Sequence, residues 1–369
     1  VSVASRAALL LLEDGRAFPG FSAAAEGTAF GEVVFNTAMA GYQETLTDPS
    51  YRGQIVAMTA SHIGNYGVNG EDAESDRIQV SAFCARHFSK NFSSFRGERT
   101  VGETLRAAKI PAIDQIDTRA LVRHLRSLGA MRGAVSTEAI DGGDRENLLG
   151  QILRQPQMAG AALALEVGTR TSYAFAPERP GAPRVAAVDY GIKRNILRKL
   201  TASGLDVTVF PATATADELL SPPRPFDGFF LSNGPGDPAA LPEAARTIAR
   251  LVDSGRPLFG ICLGHQLLGL ALGASTFKLK FGHRGVNHPV KDVRSGHVSI
   301  TSQNHGFAVD SDSLPAILEL THRNLNDGTC EGFRLKGRPV FAVQYHPESA
   351  PGPHDSDVLF EEFATTLKR

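Results

Sequence analysis

The chain has 369 residues, more than one typical core holds, so two domains are expected. Lys plus Arg (38) nearly balance Asp plus Glu (39), and a net charge of −1 excludes global attraction to nucleic acid. Cys84, Cys262 and Cys330 are odd in number and form no Cys-x-x-Cys pair, which excludes a disulfide framework and a cysteine zinc site and fits a reducing, cytoplasmic setting.

The apolar run at residues 7–12 is interrupted at once by Glu13, Asp14 and Gly15, and reads as a buried strand entering a turn rather than a signal peptide. No apolar run reaches the ~18 residues of a membrane span. Short β-like runs follow at residues 33–35 and 54–59, with a turn at Thr47-Asp48-Pro49-Ser50 between them. Leu121, Leu125 and Leu128 recur at helical spacing and predict a helix over 118–128, with another over 145–154. Residues 1–165 thus read as an N-terminal mixed α/β domain. Pro177, Pro180, Gly181 and Pro183 cannot propagate a helix, so 166–184 reads as a linker.

From residue 185 the rhythm changes. Strands are expected at 185–189, 207–210, 229–232 and 257–261, with helices at 193–203, 238–254 and from Gln266 onward. That alternation predicts an α/β fold, a doubly wound, mostly parallel sheet over 185–369. Ligands of such sheets gather at the carboxyl ends of the strands, where Ser232-Asn233-Gly234 and Cys262 would both lie.

Three segments carry chemistry. In Phe259-Gly260-Ile261-Cys262-Leu263-Gly264-His265-Gln266 a cysteine stands on a strand-to-helix turn. Flanking glycines permit strained backbone and close substrate approach, and a helix N-terminus under the sulfur favours thiolate. In Ser232-Asn233-Gly234-Pro235-Gly236-Asp237-Pro238, Asp237 suits an N-cap and Pro238 the first helical position. A Gly-x-x-x-x-Gly-Lys-Ser/Thr loop is found nowhere, which disfavours a self-contained P-loop kinase. In the third segment, Phe341-Ala342-Val343-Gln344-Tyr345-His346-Pro347-Glu348, a strand ends at a proline-stiffened turn that carries a histidine and a carboxylate. A histidine can take the thiol proton and protonate a leaving amine, and a carboxylate can orient it.

Together these three segments resemble the class I glutamine amidotransferases. The resemblance implies Cys262 as nucleophile, His346 as general base and acid, and Glu348 as its orienting partner. It also implies an oxyanion hole from the backbone N–H groups of Leu263 and of Gly234 or its neighbour. Gly41-Tyr42-Gln43-Glu44-Thr45-Leu46-Thr47-Asp48-Pro49-Ser50-Tyr51, Ser61-His62-Ile63-Gly64-Asn65-Tyr66-Gly67, Ile116-Asp117-Thr118-Arg119-Ala120-Leu121, Val188-Asp189-Tyr190-Gly191-Ile192-Lys193 and Thr301-Ser302-Gln303-Asn304-His305-Gly306-Phe307 are similar to the small-subunit family of carbamoyl-phosphate synthetases, end to end. That likeness implies glutamine contacts from Ser50, Gly234, Gly236, Leu263, Gln266, Asn304, Gly306 and Phe307. It implies a large synthetase subunit as partner, met through residues 1–165, and ATP and Mg on that partner with no cofactor in this chain. One departure is the order Ser349-Ala350, where alanine before serine is expected.

Other residues read as structural. Cys84 and Cys330 are expected to be buried or incidental thiols, and His265 and His305 structural. His283 and His288 lack a matching carboxylate set nearby in sequence, so no metal site is expected. Arg119, Arg123 and Arg126 read as a solvated face or a subunit contact. An amidotransferase serving anthranilate or guanylate synthesis is the rival enzyme, disfavoured by the N-terminal half. A non-hydrolysing regulatory subunit is the other rival, disfavoured by the presence of Cys262.

Overall fold

Alternation of apolar residues along short strands organises both halves of the chain. A computed structural model describes residues 6–368. The chain forms two compact units, Val1–Met158 and Ala159–Arg369.

The first unit is a closed barrel of seven strands, β1 (Ala7–Leu12), β2 (Ala17–Ser22), β3 (Thr28–Asn36), β4 (Gln54–Met58), β5 (Ala82–Cys84), β6 (Ala112–Asp114) and β7 (Met131–Ser136), in the order β1-β2-β6-β5-β4-β3-β7. β3, β4, β5 and β6 pair in parallel and the remaining ladders are antiparallel. Closure leaves no unpaired edge. Leu10, Leu12, Val33, Ile55, Ala57 and Val135 pack in one core with Leu121 and Leu125. Four helices accompany the barrel, α1 (Tyr42–Thr47), α2 (Val101–Ala107), α3 (Thr118–Leu128) and α4 (Gly142–Arg154). α3 spans the predicted residues. Asp117 accepts from the Ala120 N–H at its start, and Gly129 at φ 110° ends it. It buries Leu121 and Leu125, whereas Leu128 is exposed. Leu148 and Ile152 of α4 cover the outer face of β1 and β7 through Leu9, Leu11 and Ala134.

The second unit holds a ten-stranded sheet. Its strands are β8 (Tyr173–Ala174), β9 (Arg184–Asp189), β10 (Asp206–Pro211), β11 (Gly228–Leu231), β12 (Leu258–Ile261), β13 (Thr276–Asp292), β14 (Val298–Val309), β15 (Leu318–Asn324), β16 (Cys330–Leu335) and β17 (Val340–Val343). The order is β14-β13-β15-β16-β17-β12-β11-β9-β10-β8. The five strands from β17 to β10 are parallel and the outer strands antiparallel. Helices α5 (Ala164–Val167), α6 (Arg194–Ala202), α7 (Ala216–Leu220), α8 (Pro242–Asp253), α9 (Leu263–Ala271) and α10 (Val358–Thr366) complete it. Val185 and Ala187 meet Ile196, Leu197 and Leu200 of α6 and Phe360 and Phe363 of α10. Ala186 and Val188 face the other way, into a core with Ile248 and Leu251 of α8 and Leu267 of α9. The period-2 alternation of a strand thus assigns consecutive residues to opposite helical layers.

Two expectations are corrected. Residues 166–184, read as a linker, are built into the second unit: β8 pairs antiparallel with β10, and the Thr169 N–H donates to Asp189 Oδ2 at 2.7 Å. Proline and glycine mark irregular backbone there, but side-chain and ladder bonds still anchor it. The single helix expected over 238–254 is broken into a 3-10 turn, Pro238–Ala240, and α8. Pro242 has no N–H and forces Leu241 out of helical geometry, to φ −119° and ψ 55°. Among the described residues, no helix is long and apolar enough to cross a membrane.

Candidate active site

β9, β11, β12 and β17 deliver their carboxyl ends to one rim, and strand order reverses between β9 and β11 as the chain winds first toward β10 and then back past β9. Such a switch point leaves a crevice for ligands. Cys262 lies at the end of β12 and immediately precedes α9.

The nucleophile's turn is strained. Cys262 has φ 54° and ψ −104°, a conformation costing about 1–3 kcal/mol for a side chain with a Cβ. Its N–H is held by the Val343 carbonyl at 2.9 Å, and the Gly264 N–H by the Ser232 carbonyl at 2.9 Å. A Cβ on Gly264 would stand 2.3 Å from the Leu231 carbonyl oxygen, so only glycine lets α9 approach β11 this closely. Leu263 is the first residue of α9, and its N–H therefore has no intrahelical acceptor. The loop after β11 packs on the same helix: a Cβ on Gly234 would meet the Tyr190 carbonyl oxygen at 2.1 Å and Leu263 Cδ2 at 3.0 Å. Asp237 caps the following turn by accepting from the Ala239 N–H at 2.9 Å.

β17 brings the histidine and carboxylate to the same rim. The His346 N–H donates to the Ser302 carbonyl at 2.9 Å, which joins this turn to β14. His346 Nδ1 lies 2.7 Å from Glu348 Oε1, and both side chains are buried. Burial opposes charge on His346, but Glu348 and Cys262 outweigh it and raise the imidazole to about 10. Cys262 favours that cation both through charge and as a hydrogen-bond partner. Cys262 Sγ donates to the Asn304 carbonyl at 3.7 Å.

Lys193 escaped the sequence reading. It is 3% exposed, and its Nζ donates to Glu348 Oε1 and to the Ser349 carbonyl, each at 2.8 Å. Burial would raise the Glu348 carboxyl, but Lys193 and His346 pull it down to about 2. Asp189 accepts at Oδ1 from the Gly191 and Ile192 N–H groups at 2.8 Å, shaping the loop that presents the lysine. Nothing local distinguishes this lysine, because its partner is 155 residues away. The only sequence signal was its place in Asp189-Tyr190-Gly191-Ile192-Lys193, at the carboxyl end of a predicted strand. After Glu348, Ser349 and Ala350 both adopt positive φ, 61° and 53°. The Ser349 hydroxyl donates to the Pro353 carbonyl, so the serine in this order ties the loop together.

The second unit therefore gathers Cys262, His346, Glu348, Lys193, Asn304 and the run to Phe307 in one region. Gln266 Nε2 donates to the Phe307 carbonyl at 2.8 Å and to Gln344 Oε1 at 3.0 Å, so its amide braces β14 against α9. Gly306 lies in the same strand, and Gly236 adopts φ 95° where a Cβ would meet the Ala161 carbonyl at 2.4 Å. Ser50 belongs to the first unit, on the 3-10 turn Pro49–Tyr51, where its N–H donates to Asp48 Oδ1 at 2.9 Å. Cys84 and Cys330 are buried thiols, and burial pushes both up, Cys330 to about 12. His265 is wholly buried, and burial lowers it to about 3, which keeps it neutral.

The comparisons agree across both units. A family model described as glutamine amidotransferase class-I matches residues 186–366, and one described as carbamoyl-phosphate synthase small chain, CPSase domain, matches 10–135. The chain is 52% identical over 375 residues to the carbamoyl phosphate synthase small chain of Thermosynechococcus vestitus, covering 98% of this chain and 96% of that one. It is 52% identical over 378 residues to that of Solidesulfovibrio magneticus, covering 98% of each. It is 50% identical over 380 residues to that of a Synechococcus species, covering 100% of this chain and 95% of that one. A nucleophile's elbow, its buried histidine and carboxylate, and two family matches spanning both units converge: the chain belongs to the carbamoyl phosphate synthase small chain family.

Proposed function

We propose that this chain hydrolyses glutamine and delivers the ammonia to a large synthetase subunit, which makes carbamoyl phosphate from bicarbonate and two ATP. The observation that carries the chemistry is Cys262 on a strained strand-to-helix turn beside a buried His346–Glu348 pair. Cys262 Sγ attacks the side-chain amide carbon of glutamine and forms a C–S bond. The resulting oxyanion is met by the Leu263 N–H and a donor of the 233–235 loop, each worth a few kcal/mol as negative charge develops. His346 takes the thiol proton as Sγ attacks, is stabilised as the cation by Glu348, and gives that proton to the leaving nitrogen as the C–N bond breaks and ammonia is released. The neutral imidazole then takes a proton from water as that water attacks the γ-glutamyl thioester. Glutamate leaves and the thiolate is restored. Glutamine plus water thus becomes glutamate plus ammonia.

Lys193 is a positioning residue in this scheme. It keeps Glu348 ionised, and Glu348 keeps the imidazole oriented and charged. Within the second unit, backbone groups at Gly234, Gly236, Leu263, Gly306 and Phe307, with the side chains of Gln266 and Asn304, are proposed to hold the α-amino and α-carboxylate groups of glutamine. The braced Gln266 amide favours a role in shaping that pocket. The first unit is proposed to meet the large subunit, with ATP and Mg on that partner and the complex in the cytoplasm.

The test is glutamine hydrolysis by this chain alone, then with a carbamoyl-phosphate synthetase large subunit, bicarbonate and ATP. The proposal expects a low basal rate that rises sharply, with carbamoyl phosphate formed. A rate indifferent to the large subunit would send the ammonia to a different synthase.

A further inference from the structure

The region beside β14 holds a second cluster of buried donors that glutamine hydrolysis does not use. His283 lies on β13, His305 on β14 and Glu331 on β16, and they are 7%, 5% and 0% exposed. One potential ligand atom from each lies within 4.8 Å of the others. The sequence offers no carboxylate set near His283 and His288, and folding supplies Glu331 and Asp327 from a later strand and turn. The antiparallel strands β15 and β16 carry Glu331, with Asp327 in the turn between them, back across the sheet to the histidines.

The outer contacts orient each donor inward. His283 Nε2 pairs with Asp327 Oδ2 at 2.9 Å, which leaves Nδ1 facing Glu331 Oε1 at 3.7 Å. His305 Nδ1 donates to the Phe307 carbonyl at 2.7 Å, which leaves the lone pair on Nε2. Glu331 Oε1 accepts from Asn324 Nδ2 at 2.7 Å and Oε2 from Gln303 Nε2 at 3.0 Å. Neither His283 Nδ1 nor His305 Nε2 has a hydrogen-bond partner among the described residues, although both atoms are buried. A buried polar atom without a partner costs about 1–3 kcal/mol, and two converge here. His288 Nδ1 is a third such atom, and its ring centroid lies 5.2 Å from that of His283. Histidines whose remote nitrogen is tied to a carboxylate or a carbonyl, leaving the near nitrogen as a lone-pair donor, are the supporting arrangement of metal sites.

We propose that His283 Nδ1, His305 Nε2 and Glu331 bind a borderline divalent transition-metal ion of the Zn2+ type, with the fourth position left to water. Imidazole donors select such an ion over Mg2+ or Ca2+, which take oxygen ligands. The competing occupant is a proton on His283. Burial opposes it, and Asp327 and Glu331 favour it, raising that imidazole to about 9. A protonated His283 would satisfy both carboxylates but still leave the buried His305 Nε2 and His288 Nδ1 without partners. A metal ion between the three residues satisfies His283 Nδ1 and His305 Nε2 together. Because His305 follows Asn304, whose carbonyl receives the Cys262 thiol, the ion would also fix the strand that flanks the nucleophile.

The full chain, stripped with a chelator, is titrated with Zn2+ by equilibrium dialysis and with Co2+ by visible absorption. Wild type is expected to take up one ion per chain saturably, with ligand-field bands of four-coordinate Co2+ and a raised thermal midpoint. Asp327→Asn, at a half-exposed outer partner, should weaken Zn2+ binding about tenfold, and His283→Gln or Glu331→Gln on the order of 100-fold. Circular dichroism of each variant separates lost binding from lost folding, and the wild-type titration stands without any variant. Absence of saturable uptake by wild type would assign the cluster to a buried proton and overturn the proposal. Binding unchanged in folded Asp327→Asn and Glu331→Gln would overturn it too. So would thiolate-to-cobalt charge transfer that disappears in Cys262→Ala, since it would place the ion on the nucleophile.

Discussion

Replacing Lys193 by methionine removes its ammonium contact to Glu348 while keeping most of the buried volume. Lys193 Nζ sits 2.8 Å from Glu348 Oε1 and 2.8 Å from the Ser349 carbonyl, with both charged side chains buried. A fall of the Glu348 carboxyl from 4.5 to about 2 corresponds to about 3 kcal/mol favouring its ionised form. Lys193 is its largest favourable cause, and stranding one member of a buried ion pair costs about 3–5 kcal/mol. Lys193→Met should therefore destabilise the second unit by about 3 kcal/mol at neutral pH. It should also slow glutamine hydrolysis, because a Glu348 that protonates no longer charges His346. Replacing both partners by neutral groups leaves no unpaired charge, so adding Glu348→Gln should recover at least about 2 kcal/mol of stability, with activity still lost. The assay is a double-mutant cycle by urea unfolding, run beside glutaminase rates, with the exposed pair Arg246–Glu243 as a surface control worth under about 1 kcal/mol. A Lys193→Met cost below about 1 kcal/mol, or a double variant whose loss equals the sum of the singles, would refute the reasoning.

Further outcomes follow from the same geometry. Glu348 is depressed on folding, so its contribution is present above pH 4.5 and lost as pH falls toward about 2; His346 is raised, so its contribution is full below pH 6.5 and lost as pH rises toward about 10. The stability gap between wild type and His346→Gln should accordingly shrink as pH rises from 6.5 to about 10 in thermal unfolding, and a constant gap would contradict the imidazolium. Gly264→Ala forces its new Cβ against the Leu231 carbonyl oxygen and should cost about 1–3 kcal/mol with loss of hydrolysis. Gly143→Ala meets nothing within 4 Å in α4 and should be neutral or stabilising by up to about 1 kcal/mol, so equal costs at the two glycines would count against close approach as the reason.

The parallel heart of the second unit was legible because buried parallel strands are continuous apolar runs. Residues 185–189 and 257–261 match β9 and β12 within one residue at either end. The antiparallel extension was not. β13 alternates only over Thr276 to Phe281, and from Gly282 onward His283, Arg284, Asn287 and His288 break both the alternation and any continuous apolar run. Barrel closure in the first unit depends on β5 and β6, three residues each, too short to display any period. Cys262, His346 and Glu348 could be proposed from local turn chemistry, since each motif sits at a predicted strand end. Lys193 and the His283–His305–Glu331 cluster could not, because a lone lysine or histidine carries no local mark of burial and its partners lie far away in sequence.

The central claim is that Cys262 carries a γ-glutamyl thioester, and rapid acid quenching of turnover with labelled glutamine tests it most directly. Label is expected on the wild-type chain, mapped by peptide mass spectrometry to Cys262, chased to glutamate on further incubation and absent from a folded Cys262→Ala chain that still binds glutamine. Hydrolysis that persists in Cys262→Ala, or label on another residue, would contradict it.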